Sequence, residues 1–160
     1  MAAERKYPPI ETLDRIRKWC DMQERAHSDV RRKLSAWGVY GDESENIIAE
    51  LISGNYLNEE RYARAFARGK FRIKHWGWRK IESSLRAKAV SKFSIAAARE
   101  EYDEEDHSDV LYTLLLKKRN MLKESDPYKR KAKLMRFAAG KGYDFDATRQ
   151  ALERLGEEDA

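Results

Sequence analysis

The sequence predicts an all-α chain: about nine helices in three tandem three-helix repeats, forming an elongated, curved molecule. Three observations lead there. The first is a helical phrase stated three times. One copy runs Trp76-Gly77-Trp78-Arg79-Lys80-Ile81, then Leu85, Ala89 and Val90; another runs Gly142-Tyr143-Asp144-Phe145, then Thr148, Leu152 and Gly156. The weakest runs His27-Ser28, then Val30, Leu34, Gly38 and Val39. His27, Trp78 and Phe145 correspond, as do Val30, Ile81 and Thr148, and then Leu34, Leu85 and Leu152. The first member precedes its Leu by seven residues each time, two helical turns, so these side chains share a face and are expected in the core. The second observation is sparse punctuation, with three prolines and eight glycines in 160 residues. The third is that no segment alternates as a strand does. Such an array offers an extended surface rather than a closed pocket.

The elements follow in order. Pro8-Pro9 precedes a first helix from about Ile10, with Leu13, Ile16, Trp19 and Cys20 on one side. Ser28 is expected to cap a second helix that Gly38 closes with a left-handed residue. A third, from about Glu43 to Ile52, buries Ile47, Ile48 and Leu51 and is broken at Gly54-Asn55. Asn58 caps a fourth reaching about Lys74, whose first turn holds Glu59 and Glu60 where the helix dipole favours acids. Gly77 marks the next turn, followed by the helix with Ile81, Leu85 and Ala89 buried. Ser91 or Ser94 opens another helix to about Tyr102, and a longer one from near Asp106 carries Val110, Leu111, Leu114 and Leu115. Asp126-Pro127 pairs a cap with proline at the first helical position. Gly140 to Asp144 turns the chain, and Asp144 caps the last helix through Leu155. The expected organisation is a tail at 1–9, repeats at 10–53, 54–103 and 104–156, and an acidic tail at 157–160.

Charge is segregated more than its net +5 suggests. Residues 61–88 hold ten Lys or Arg and one acid, Glu82, whereas residues 100–106 hold six acids and no base. The basic block implies a polyanionic or acidic partner. The acidic run is expected to be a solvated helix junction. At 100° per residue, Arg61, Arg64, Arg68 and Arg72 fall within an arc of about 80°, and Tyr62, Phe66 and Ile73 form a separate packing arc roughly 100° away. Arg79 and Arg86 point away from the buried side of the next helix. Arg64, Arg68, Lys70, Arg72, Lys74, Arg79, Lys80, Arg86 and Lys88 are therefore the candidate partner-binding residues. Trp76 and Trp78 interleave with this block; Trp78 is expected to be a core anchor by its repeat position, and Trp76 to be more exposed.

No catalytic constellation or phosphate loop is present, so neither enzymatic activity nor a cofactor is expected. His27, His75 and His107 lack metal-ligand spacing. Cys20 is single and suits a core position under reducing conditions. No apolar run approaches the ~20 residues of a membrane span and no signal-peptide pattern opens the chain. A cytoplasmic monomer is expected.

Several stretches carry a resemblance to a known family. They are Tyr56-Leu57-Asn58-Glu59-Glu60-Arg61-Tyr62-Ala63 with Phe66; Lys70-Phe71-Arg72; Trp76-Gly77; Lys80-Ile81; Leu85-Arg86; and Lys88. The series continues with Arg130-Lys131-Ala132-Lys133-Leu134, Arg136-Phe137, Lys141-Gly142-Tyr143-Asp144-Phe145-Asp146, Arg149 and Leu152, and Arg32-Lys33-Leu34 with Trp37-Gly38-Val39 fits the first repeat. In this order and spacing the chain resembles the RecX family, small regulators of the RecA recombinase. Ala89-Val90 replaces that family's usual Gly-Ile closure, and Lys141-Gly142-Tyr143 an Arg-Gly-Phe type. The resemblance implies three tandem three-helix units that bind the RecA–single-stranded-DNA filament. It implies suppression of ATP hydrolysis, strand exchange and filament growth, in DNA repair, homologous recombination and the SOS response. Direct DNA contact would be weak. The competing expectation is a free-standing nucleic-acid-binding protein of helix-turn-helix-like units; residues 78–88, with only Ser83 and Ser84 as small polar readers, suit it poorly.

Overall fold

The computed structural model describes residues 4–157. Among them are nine helices and no strand: α1 (Pro9–Met22), α2 (His27–Ala36), α3 (Gly41–Ser53), α4 (Glu59–Arg72), α5 (Trp78–Ala87), α6 (Lys92–Arg99), α7 (Glu104–Met121), α8 (Pro127–Lys141) and α9 (Phe145–Leu155). Most boundaries follow local chemistry. Asn58 accepts the Arg61 amide at 2.9 Å, Asp126 the Tyr128 amide at 3.0 Å and Asp144 the Ala147 amide at 2.7 Å. Each cap satisfies one of the orphan donors of a helix start. Asp103 accepts from Glu105 and Asp106, so α7 begins two residues before the expected start, with Glu104, Glu105 and Asp106 in its first turn.

Ser28 is not the cap of α2. The helix starts two residues earlier, with Asp29 accepting the Ala26 amide at 3.0 Å, while the Ser28 hydroxyl donates to the Lys88 carbonyl at 2.7 Å. Asp29 stands at the third helical position and reaches back to the N-cap amide, while the Ser28 hydroxyl is engaged outside the helix.

The chain forms two compact units. The first comprises residues up to Ala65 together with Leu85–Ala98; the second comprises Phe66–Ser84 and the residues from Arg99 onward. In the first, α1, α2 and α3 enclose Ile16, Cys20, Val30, Leu34, Val39, Ile47, Ile48, Leu51 and Leu57. Residues 4–7 are packed rather than loose: the Lys6 amide donates to the Trp37 carbonyl at 2.9 Å, and Tyr7 meets the Trp37 ring edge-on at 5.3 Å. Gly38 admits them, since a Cβ there would lie 2.4 Å from the Glu4 carbonyl oxygen. In the second, α7, α8 and α9 pack on one another around Leu111, Leu115, Leu134, Ala138, Tyr143, Ala151 and Leu152.

The repeated phrase has a structural counterpart at its end. Val30, Ile81 and Thr148 are buried, as are Leu34, Leu85 and Leu152. The next helix-closing residue, Gly38, Ala89 or Gly156, has φ of 79°, 60° or 82°. The residue after it, Val39, Val90 or Glu157, turns inward and donates its amide to the carbonyl of Leu34, Leu85 or Leu152 at 2.9, 3.1 and 2.9 Å. This Schellman closure satisfies the last carbonyls of each helix. Ala89 keeps the geometry of its glycine counterparts but, contrary to expectation, is exposed: it lies in the closing turn, beyond the face that buries Ile81 and Leu85.

A Cβ in the left-handed region carries a conformational penalty that glycine does not. Ala89→Gly should therefore raise the unfolding free energy by roughly 0.5–1 kcal/mol. Urea denaturation followed by circular dichroism checks this, and an unchanged or lower midpoint would contradict it.

Candidate partner-binding surface

Helix α4 ends at Arg72, and the chain then reverses over its last turn. His75 adopts a left-handed conformation with φ of 58°, and the Trp76 amide reaches back to the Lys70 carbonyl at 3.0 Å. Trp76 is thereby set edge-on to Phe66 at 6.4 Å, with the Lys70 ammonium 4.8 Å from its ring centre. Gly77 follows and makes a backbone contact with the turn between α8 and α9. Its amide donates to the Lys141 carbonyl at 2.7 Å, and the Arg79 amide to the Gly142 carbonyl at 3.1 Å. A Cβ on Gly77 would lie 2.4 Å from Gly142 backbone atoms, and one on Gly142 would lie 2.4 Å from the Lys80 Cβ. Tyr143 adds a hydroxyl bond to the His75 carbonyl at 2.8 Å. This lock holds Lys80 beside Trp76, its ammonium 4.4 Å from the ring centre.

Six of the nine candidate residues, Arg68, Lys70, Arg72, Lys74, Arg79 and Lys80, lie in the second unit; Arg64, Arg86 and Lys88 lie in the first. Three of the nine have identified carboxylate partners. Arg64 pairs with Glu60 at 3.2 Å, Arg68 with Glu101 at 3.1 Å and Lys88 with Asp29 at 2.6 Å. The Lys88 pair, beside the Ser28 bond, fastens the end of α5 to the start of α2. Arg61, in the same sequence stripe, pairs with Glu24 at 2.6 Å and also binds Asn55. Arg72, Lys74 and Arg79 are exposed and make no ion pair among the described residues. Within residues 66–84 they are the exposed Lys and Arg side chains without an ion pair. Exposed pairs such as Arg64–Glu60 contribute only about 0–1 kcal/mol and exchange readily for another partner.

Several expectations need correcting. Ile73 is 75% exposed. It keeps helical bonding, its amide donating to the Gly69 carbonyl at 2.9 Å, yet the buried residues of this half of α4, Ala67 and Phe71, lie on a different side of the helix. Trp76 is half-buried under two lysines rather than open. Trp78 is half-buried, donating to Glu82 at 2.7 Å and packing on Tyr102 at 5.9 Å and Arg99 at 5.0 Å. Its counterpart Phe145 is 64% exposed and has no ring contact among the described residues, so the first position of the phrase is not a core anchor in every copy. The acidic run is, as expected, a largely exposed helix junction, and it also pairs Glu101 with Arg68 and Glu104 with Arg99 and supplies the Asp103 cap. Glu157 is not a tail residue: it is 7% exposed and pairs with Arg130 at 2.9 Å and Arg119 at 3.5 Å. Glu158–Ala160 and Met1–Ala3 lie outside the described residues.

Behind the locked turns lies a buried aromatic stack. His107 is 9% exposed and sits between Tyr102 at 4.7 Å and Tyr143 at 4.6 Å, with its Nε2 lacking a hydrogen-bond partner among the described residues. Burial lowers the His107 pKa; Arg99 adds to this, while Asp144 and Glu104 oppose it. Burial also raises both tyrosines well above their ordinary values. Cys20 in the first unit is pushed up to about 11, mainly by desolvation, and is a thiol in the core.

Residues 58–98 match the second three-helix domain of RecX, and residues 104–152 match the third. Regulatory protein RecX of Clostridium perfringens strain 13 is 36% identical over 82% of this chain and 62% of its own length. That of Prosthecochloris aestuarii is 29% identical over 89% of this chain and 92% of its own length. The chain thus spans about three-fifths of the clostridial relative. The crystal structure of RecX from Lactobacillus salivarius superposes with a TM-score of 0.83 at 20% identity, covering 92% of this chain and 96% of that one. The chain belongs to the RecX family. The RecX fold of tandem three-helix domains accounts for the phrase stated three times. Among the described residues no group of His, Cys, Asp and Glu could hold a metal ion, and no helix is long and apolar enough to cross a membrane.

The His107 stack makes stability depend on pH. Its folded pKa lies below the unfolded value of about 6.5, so the unfolded state binds the proton first and stability falls as pH drops below that value. Thermal melting between pH 7 and 5.5 should show this loss, and His107→Phe, which keeps the stack, should flatten it. An equally steep profile in the variant would contradict the assignment.

Proposed function

We propose that this RecX-family chain binds the RecA–single-stranded-DNA filament and suppresses its ATPase, strand exchange and growth, acting in the cytoplasm as a monomer without catalysing a reaction. The observation that carries this reading is family membership with relatives named as regulatory proteins. The surface chemistry supports it. Arg72, Lys74 and Arg79 are exposed on the stretch that carries the lysine-flanked Trp76, and Arg68 can trade Glu101 for a partner group. Such a surface suits carboxylates of filament protomers or phosphates of the bound strand.

The test is RecA's DNA-dependent ATPase, titrated with the wild-type chain and with Arg72→Glu/Arg79→Glu. Wild type should suppress hydrolysis, and the double variant should need about tenfold more protein for the same effect. Its stability should change by no more than about 0.5 kcal/mol, since both side chains are exposed. With fewer charges to screen, its binding should also depend less on salt. Unchanged ATPase and strand exchange at saturating wild-type protein would overturn the reading in favour of a free-standing nucleic-acid-binding protein.

A further inference from the structure

Phe66, Gly69 and Ile73 follow one another at spacings of three and four, which puts them on one side of the C-terminal half of α4 and the turn that continues it. Ile73 is 75% exposed, although β-branched residues are poor choices for an open helix end. Gly69 stands inside the helix, where glycine is less favourable than alanine. Apart from its chain neighbours and the helix's own backbone, no atom lies within 4 Å of where its Cβ would stand, so packing inside this chain does not require a glycine there. The missing side chain leaves a notch between Phe66 and Ile73. Lys70, Arg72 and Lys74 alternate with these positions, and Arg72 and Lys74 are exposed.

Electrostatics alone would assign this edge to any polyanion. The apolar content narrows the choice. An exposed isoleucine and a backbone notch offer nothing to a phosphate chain. The ring that would stack a base is already covered, with the Lys70 and Lys80 ammoniums 4.8 and 4.4 Å from the Trp76 centre and Phe66 at its edge. A protein segment with an apolar anchor flanked by carboxylates uses all of these features at once.

We propose that the strip of Phe66, Gly69 and Ile73, bordered by Lys70, Lys74 and Trp76, docks an apolar-and-acidic segment of a recombinase protomer, the apolar anchor filling the notch at Gly69. This rests on the function proposed above and adds which surface makes the protein contact and what chemistry it selects.

Gly69→Ala and Ile73→Ser test it with three readouts: melting temperature, inhibition of RecA ATPase on single-stranded DNA, and binding of a fluorescent oligo-dT without RecA. Gly69→Ala should melt higher than wild type yet inhibit less well, because the added methyl favours the helix and fills the notch. Ile73→Ser should melt like wild type and inhibit about tenfold less well. Oligo-dT binding should match wild type in both variants. Wild-type inhibition by either folded variant overturns the strip while leaving the proposed function standing. Parallel loss of oligo-dT binding and inhibition overturns it by assigning the strip to nucleic acid. Absence of inhibition by the wild-type chain removes the function and this contact together.

Discussion

The second unit depends on a backbone-to-backbone contact that only glycine permits on both sides. The turn before α5 and the turn before α9 approach until Gly77 and Gly142 atoms leave no room for a Cβ, and two main-chain bonds, from Gly77 and Arg79, close the approach. Four consequences hang on it. Trp76 is fixed over the end of α4; Lys80 is carried to its ring; the Tyr143 hydroxyl finds the His75 carbonyl; and His107 is enclosed between two tyrosines. A basic side chain on a free turn would spread its charge over many positions. Here the scaffold sets where the charge lies, which is what recognition of a patterned surface requires.

The basic block is one block in sequence and two populations in space. Arg61, Arg64, Arg68 and Lys88 meet carboxylates of their own chain, whereas Arg72, Lys74 and Arg79 do not among the described residues. Part of the positive charge therefore serves architecture. The closing residue of the phrase makes a similar point. Where two copies bury Val39 and Val90, the third buries Glu157 and holds it with Arg119 and Arg130. Placing a carboxylate in a valine site is tolerable only because two guanidiniums meet it there.

Much of the fold was legible because the phrase encodes its own geometry: a Leu two turns after the first residue, then a left-handed closure. The caps at Asn58, Asp126 and Asp144 were legible for the same reason, as short polar side chains ahead of apolar periodicity. Ser28 was misread because Asp29 takes the Ala26 amide ahead of it and its own hydroxyl is drawn to Lys88, a contact made across the fold that sequence order does not show. Ile73 and Phe145 were misplaced because a helical wheel gives the side of a helix, not whether anything lies over it. Among the nine candidate residues, the wheel shows Glu60 one turn before Arg64 but could not see Glu101 or Asp29, which other parts of the chain bring within reach. The contact between Gly77 and Gly142 left only a trace in sequence, two glycines in turns, with no sign that they face each other. Gly69, a glycine inside a helix with a plain cap and apolar period, was the one trace of the strip in the sequence.

The most direct measurement of the account is residue-resolved amide hydrogen exchange on the intact chain, observed at Gly77 and Arg79. If the two turns are locked, these loop amides are protected to a degree comparable with core amides of α7 and α9, because their bonds to Lys141 and Gly142 break only when the unit opens. Exchange at the rate of an open surface loop would contradict the lock, and with it the fixed placement of Trp76 and Lys80.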